Sequence, residues 1–396
     1  MRTHFSEAVM THKAPPFQTV STGLVVAIVG FFSSFPIVLQ GLAAMGASPA
    51  QAASGLMMAA IAMGLTAIVL SLWYRQPISV AWSTPGAALL AVSATPALGF
   101  AEATGAFLCA GALTVLAGLW RPLGRMAAAI PTTLAQAMLG GVLLPLCILP
   151  FQAAVDLPWQ ALPVIMTWFI AGRINRLFAV PAAVVAAAAV VVLNAGDASL
   201  TPKQWIAAPV WTTPSFSVAS VIGIAVPLFI VTMATQNIPG IAVIRSFGYA
   251  PQTGKLFSSV GFSSILSSPF GAPATCLAAI TAAMCANEDS HPDPAQRYWS
   301  AVMGGLFYCL FGVFAVAITG FAIHADPLLM GTLTGVALIG VMANATSAAL
   351  GVPAERDAAI LTFAITASGI TAFGLGAAVW GLLAGGMAYL VKQRFR

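Results

Sequence analysis

Charge is what this chain has least of. Only 6% of its 396 residues are Asp, Glu, Lys or Arg, against roughly 25% in soluble domains. The longest polar stretches, 195–216 and 286–298, run to about 20 residues, which leaves no room for a separate soluble domain. Cysteine is scarce too. Cys109, Cys147, Cys276, Cys285 and Cys309 lie in or at the ends of apolar runs without CxxC spacing, so no disulfide framework or metal site is expected. His4, His12, His291 and His324 sit in tails or loops. With no HExxH and no Ser-His-Asp set, enzymatic chemistry is not expected, and no cofactor is implied. GYAPQTGKL (248–256) has five residues between its glycines where a phosphate-binding loop has four, and Leu256 where that loop needs Ser or Thr. NAT at 344–346 matches a glycosylation acceptor but lies in or beside an apolar run.

What the chain does have is apolar sequence. Hydrophobic residues make up 60%, in blocks of about 20, the length that crosses a hydrocarbon core. The first block, Thr19 to Gly46, is too long for a signal-peptide core and no cleavage site follows. Spans are expected near 18–45, 50–73, 77–97, 100–120, 126–150, 159–172, 177–194, 217–244, 253–267, 268–286, 298–322, 327–350, 357–374 and 375–392, about fourteen in all. With the N-terminus in the cytoplasm, Arg2, Lys13, Arg75, Arg121, Arg125, Arg173, Arg176, Arg245, Lys255, Arg297, Arg356, Lys392, Arg394 and Arg396 all fall inside, and only Lys203 outside. The net charge of +5 therefore orients the chain in a bilayer, with both termini cytoplasmic, rather than serving nucleic acid.

Seven spans precede the loop near 195–216 and seven follow. An odd number per half inverts the second half, giving repeats at 1–200 and 201–396. Pro36 followed by GASP (46–49) in the first half matches Pro239 followed by GYAP (248–251) in the second. Each half then reaches a broken element, SVAWSTPGAALLA (79–91) and SSPFGAPATCLAA (267–279). Each is read as a short extended segment leading into a half-helix. Non-helical backbone at membrane depth survives only against protein or a polar cavity. Paired broken elements in matching positions point to a transporter's binding site. The expected fold is thus an all-α polytopic membrane protein of two inverted repeats. Its half-helix N-termini would meet at the midplane and attract an anion without a buried cation.

GFFSSFPIVLQGLAAMG (30–46), ISVAWSTPGAAL (78–89), ATQNIPGIAVIRSFGY (234–249) and SSPFGAPATCLAAITAAM (267–284) resemble the benzoate/proton symporter family of bacteria. That family belongs to a seven-plus-seven fold shared with nucleobase and with sulfate or bicarbonate transporters. The resemblance implies a core domain of spans 1–4 and 8–11, a gate domain of spans 5–7 and 12–14, and a site between the half-helices lined by spans 1 and 8. It implies uptake of an aromatic carboxylate, benzoate first, with protons, by alternating access in the bacterial inner membrane. A transporter or passive channel for another organic or inorganic anion is the alternative. Where nucleobase relatives carry glutamates, this chain has Gln236 and Ala279. That departure suits an anionic substrate, because an unpaired carboxylate there would repel it.

Backbone N–H groups of Gly86, Ala87, Ala274 and Thr275 are the expected carboxylate donors. Thr84 is the expected cap of the first half-helix, with Ala272 in the corresponding place of the second and Gly271 beside it. Phe31, Phe32 and Phe270 either pack or wall an aromatic ring. Ser33, Ser34, Gln40, Gln236 and Asn237 either bridge helices or face the site. Glu102 and Asp326 are the acids best placed to carry a proton, unless it travels on the substrate. GTLTG (331–335) and GLLAG (381–385) fit close helix packing and contacts in a homodimer.

Overall fold

Proline and serine decide where the first span breaks. In the computed structural model α1 (Phe17–Phe32) stops at Ser33 and Ser34, and α2 (Phe35–Ala44) restarts with Pro36 in its first turn. There the missing proline N–H costs no helical bond. The structure describes residues 15–120, 122, 124, 131–194, 206–316, 325–372 and 375–394. Glu7, His4, His12, Asp197, His324, Arg2, Lys13, Arg121, Arg125, Lys203 and Arg396 lie outside them.

The GASP segment starts α3 (Pro49–Tyr74) with a capping box. The Ser48 hydroxyl accepts from the Gln51 N–H and the Gln51 side chain accepts from the Ser48 N–H. Then follow β1 (Val80–Trp82), α4 (Thr84–Ala91), α5 (Phe100–Leu119), α6 (Thr132–Asp156), α7 (Pro158–Ile174) and α8 (Ala179–Asn194). The second half repeats the order. It consists of α9 (Val218–Ser246), α10 (Thr253–Ser267), β2 (Thr275–Leu277), α11 (Ala279–Ala286), α12 (Tyr298–Val313), α13 (Pro327–Leu350), α14 (Arg356–Ala367) and α15 (Ala377–Arg394). Among the described residues seven helical stretches are individually long and apolar enough to cross a membrane. The other expected spans are shorter helices or strand-plus-helix elements. Side chains such as Trp73, Val69, Trp159, Phe169 and Val185 lie exposed on the outside, as a bilayer-facing surface requires.

Small residues let these helices approach closely. A Cβ on Gly305 of α12 would sit 2.5 Å from the Gly64 carbonyl of α3. On α10, a Cβ at Gly261 would sit 2.6 Å from the Val115 amide nitrogen of α5. Gly331 and Gly335 of the GTLTG segment meet Leu149 and Pro150 of α6, and Gly381 and Gly385 of GLLAG meet Thr362 and Thr366 of α14. Both motifs are thus used inside the chain.

The two broken elements are held together by the only sheet among the described residues. β1 and β2 pair antiparallel, with Val80 opposite Leu277, Ala81 opposite Cys276 and Trp82 opposite Thr275. This corrects the expected register of the second repeat. The extended segment there is Thr275–Leu277, after Gly271-Ala272-Pro273-Ala274 rather than before it. Proline misled the reading: Pro85 lies in the first turn of α4, whereas Pro273 lies upstream of its strand.

Residues 206–216 cross the end of the fold remote from Arg75, Arg245 and Arg297. Val210 N–H donates to the Ser54 hydroxyl, Thr212 N–H to the Pro269 carbonyl and Ser215 N–H to the Ala101 carbonyl. Close packing of α3 on α12 gives a test. Gly305→Val overpacks that contact and should lower stability by about 1–3 kcal/mol. Thermal unfolding of detergent-purified protein would show it as an earlier transition.

Candidate functional site

Each short strand leads straight into a half-helix, α4 in one direction and α11 in the other. The ladder between them is only three residues long, about 10 Å at ordinary strand rise. Both helix N-termini therefore lie close together in the interior.

The two ends differ in how their backbone donors are satisfied. In α4 the cap is Ser83, not Thr84, which occupies the first helical position. The Ser83 hydroxyl accepts from the Gly86 N–H at 3.1 Å and shares a 2.7 Å hydrogen bond with the Thr232 hydroxyl of α9. The Ser83 carbonyl accepts from the Ala87 N–H at 2.7 Å. The expected donors Gly86 and Ala87 are therefore committed locally, and Thr84, half-buried, is the part of this end left open.

In α11 the cap is Ala278, which has no side-chain acceptor. It, rather than Ala272, corresponds to Ser83. The first intrahelical bond is the Ala282 N–H to the Ala278 carbonyl at 3.3 Å. The N–H groups of Ala279, Ile280 and Thr281 precede it and have no partner among the described residues. These were missed because the helix start was placed too early. Ala274 and Thr275 lie upstream, in and beside the sheet. The Ala274 carbonyl accepts the Ser83 N–H at 2.8 Å. Thr275 N–H donates to the Ser264 hydroxyl and its own hydroxyl to the Val260 carbonyl, both at 2.9 Å. Neither Thr275 donor is free for a ligand.

Asn237 fixes the approach to α11. It sits in a wide π turn of α9, Met233–Asn237, a distortion that often marks functional positions in helices. Its Oδ1 accepts the Leu277 N–H at 2.8 Å and its side chain is fully buried. Gly240 one turn on lets α9 approach, since a Cβ there would lie 2.9 Å from the Leu277 Cβ. Gln236 is half-buried, and its amide has no hydrogen bond among the described residues.

Buried Arg297 closes the far end of α11. Its guanidinium donates to the carbonyls of Ala286 at 2.8 Å, His291 at 2.7 Å and Pro292 at 3.2 Å. A cation there complements the negative end of the half-helix dipole.

The aromatic candidates separate. Phe31 is fully buried, in ring contact with Phe32, Phe35, Trp82 and Phe311, so it packs. Phe32 is half-buried, in ring contact with Phe31, Phe35 and Phe311. Phe270 stacks edge-on against Trp211 of the crossing segment at 5.3 Å. Gly271 follows with φ +88°, where an added Cβ would lie 3.0 Å from the Phe100 ring. Both lie at the end of the fold that residues 206–216 cross, away from the half-helix N-termini. Ile280, not anticipated, is 68% exposed at the open end of α11. Ser33 lies in the α1–α2 break, and neighbouring Ser34 accepts the Trp82 indole N–H at 2.8 Å. Gln40 Oε1 is buried without a partner among the described residues.

The two acids serve as local caps. The Glu102 carboxylate accepts the Leu98 N–H at 2.9 Å and the Ser217 hydroxyl. Asp326 accepts the Leu328 N–H at 2.8 Å.

A buried N–H left unpaired costs about 1–3 kcal/mol. Asn237→Ala should therefore lower the thermal midpoint of purified protein, while Gln236→Ala should leave it in place.

Comparison with known proteins agrees with this architecture. Residues 14–391 match the family model described as benzoate membrane transport protein. The chain is 38% identical over 377 residues to the inner membrane protein YdcO of Escherichia coli (strain K12), covering 95% of this chain and 96% of that one. It is 30% identical over 332 residues to the benzoate membrane transport protein of Acinetobacter baylyi, covering 84% of each. Among solved structures, the transmembrane domain of the cyanobacterial bicarbonate transporter BicA superposes with a TM-score of 0.60 at 17% identity, over 93% of this chain and 97% of that one. SLC26A9 superposes with a TM-score of 0.59 at 13% identity, over 96% of this chain and 65% of that one. These likenesses establish the inverted-repeat transporter fold. With a family model spanning nearly its full length, and relatives alike over most of theirs, the chain belongs to the benzoate membrane transport protein family.

Proposed function

We propose that this membrane transporter imports an aromatic carboxylate, benzoate first, together with protons, by alternating access. The observation that carries the reading is the open end of α11. Three unpartnered N–H groups and the positive end of a helix dipole meet there beside exposed Ile280. Such an end attracts an anion, and an apolar neighbour suits the ring attached to a carboxylate. Ala279, Ile280 and Thr281 hold the carboxylate, Thr84 and Gln236 face it, and Phe32 and Ile280 line the ring. Gly86, Ala87, Ala274, Thr275 and Asn237 form the frame. Family membership supports the substrate class.

In this reading α1–α5 and α9–α12 form a core that moves against a gate of α6–α8 and α13–α15. The end bearing Arg75, Arg173, Arg176, Arg245, Lys255 and Arg297 faces the cytoplasm, as the positive-inside rule directs, and the membrane is the bacterial inner membrane. The capping roles of Glu102 and Asp326 favour a proton that travels with the substrate.

Proteoliposomes loaded without substrate provide the test. Radiolabelled benzoate should accumulate above its outside concentration only under an inward proton gradient. Mere equilibration would indicate a passive anion channel, and no entry would exclude benzoate. Ala279→Pro removes one α11 donor at the first helical position, where proline is tolerated. It should weaken benzoate binding roughly 10-fold, while Ala279→Ser keeps the donor and the affinity. The Glu102→Gln/Asp326→Asn variant should keep gradient-driven accumulation. Binding without coupling in that variant would assign the proton to these side chains.

A further inference from the structure

A second cavity, of about 830 Å³, opens at the basic end between α5, α9 and α10. It lies on a different flank of α9 from the half-helix site. Ile238, Ile241, Ala242 and Arg245, spaced i, i+3, i+4 and i+7, line it. Gly240 and Asn237 instead face β2.

The lining changes character with depth. Ile238, Ile241 and Phe257 make an apolar inner wall, and Arg245 and Lys255 lie at the ends of their helices with no acidic residue among the described lining. Arg245 donates one bond, 2.9 Å, to the Thr253 hydroxyl, and its remaining donors have no partner among the described residues. Lys255 is exposed and has no partner among the described residues. α10 adds its own start. Gln252 makes no side-chain cap, and the first intrahelical bond is the Leu256 N–H to the Gln252 carbonyl. The N–H groups of Thr253, Gly254 and Lys255 therefore have no partner among the described residues. Two cations lining one cavity with no acid in its described lining repel each other, and an anion between them removes that cost.

We propose that this cavity is a phosphate site for an anionic phospholipid of the cytoplasmic leaflet. The phosphate is held by Arg245, Lys255 and the start of α10, and the glycerol and upper chain lie against Ile238, Ile241 and Phe257. Basic pockets between spans on the cytoplasmic side bind anionic headgroups in this way. GYAPQTGKL is no nucleotide loop by its spacing, yet its last residues present the same backbone chemistry to a phosphate. The assignment rests on the proposed orientation, and because it is read by binding it stands or falls separately from benzoate transport.

The test titrates detergent-purified full-length protein with phosphatidylglycerol, phosphatidylcholine or inorganic phosphate and follows thermal unfolding. Phosphatidylglycerol should raise the midpoint and phosphatidylcholine should not. In Arg245→Gln/Lys255→Gln the concentration needed should rise roughly 30-fold. Arg245→Lys/Lys255→Arg should keep the response. So should Arg173→Gln/Arg176→Gln, which removes two charges from the same end elsewhere. If the double glutamine variant fails to fold, Lys255→Gln alone should shift the dose roughly 5-fold. An unchanged dose in the glutamine variants overturns the site. Equal loss in Arg173→Gln/Arg176→Gln overturns it in favour of general surface attraction. An equal response to inorganic phosphate overturns the lipid assignment.

Discussion

A backbone polar group in hydrocarbon must find a partner inside the protein, and the centre of this molecule is built around that requirement. Two extended segments three residues long could not survive there singly. They pair with each other, and the groups left over are met one by one. Ser83 N–H reaches the Ala274 carbonyl, Ala278 N–H the Ser79 carbonyl, and Leu277 N–H the Asn237 side chain. The π turn of α9, the glycine at 240 and the hydroxyl pairs Ser79–Thr281 and Ser83–Thr232 all follow from satisfying this small sheet.

The same accounting exposes the functional asymmetry. Ser83 closes the donors of α4, whereas Ala278 leaves those of α11 open. A serine cap and an alanine cap at equivalent places thus close the donors of one half-helix and leave those of the other without a partner among the described residues. Buried Arg297 steadies the opposite end of α11 through the Ala286, His291 and Pro292 carbonyls. In the proposed site an anion held by partial charges would be released more readily than one held by a buried guanidinium.

Much of this was legible in the residues. Apolar blocks of bilayer length, basic residues on one side and a broken element in each half carry information in composition and spacing alone. The register of the second broken element was not legible. Pro85 marks a helix start, and Pro273, in a similar local setting, marks the approach to a strand. Which one holds depends on what lies across the ladder. Phe270 shows the same limit, since a ring near a half-helix in sequence packs instead on Trp211 of the crossing segment.

The sequence by itself determined that this chain lives in a bilayer and that its halves are related by inversion. These properties rest on hydrophobicity, charge placement and proline, which act locally. Only the tertiary structure decided which backbone donors remain open. A hydrogen bond between residues as distant as Asn237 and Leu277, or Ser83 and Thr232, closes a donor in a way that no local pattern records.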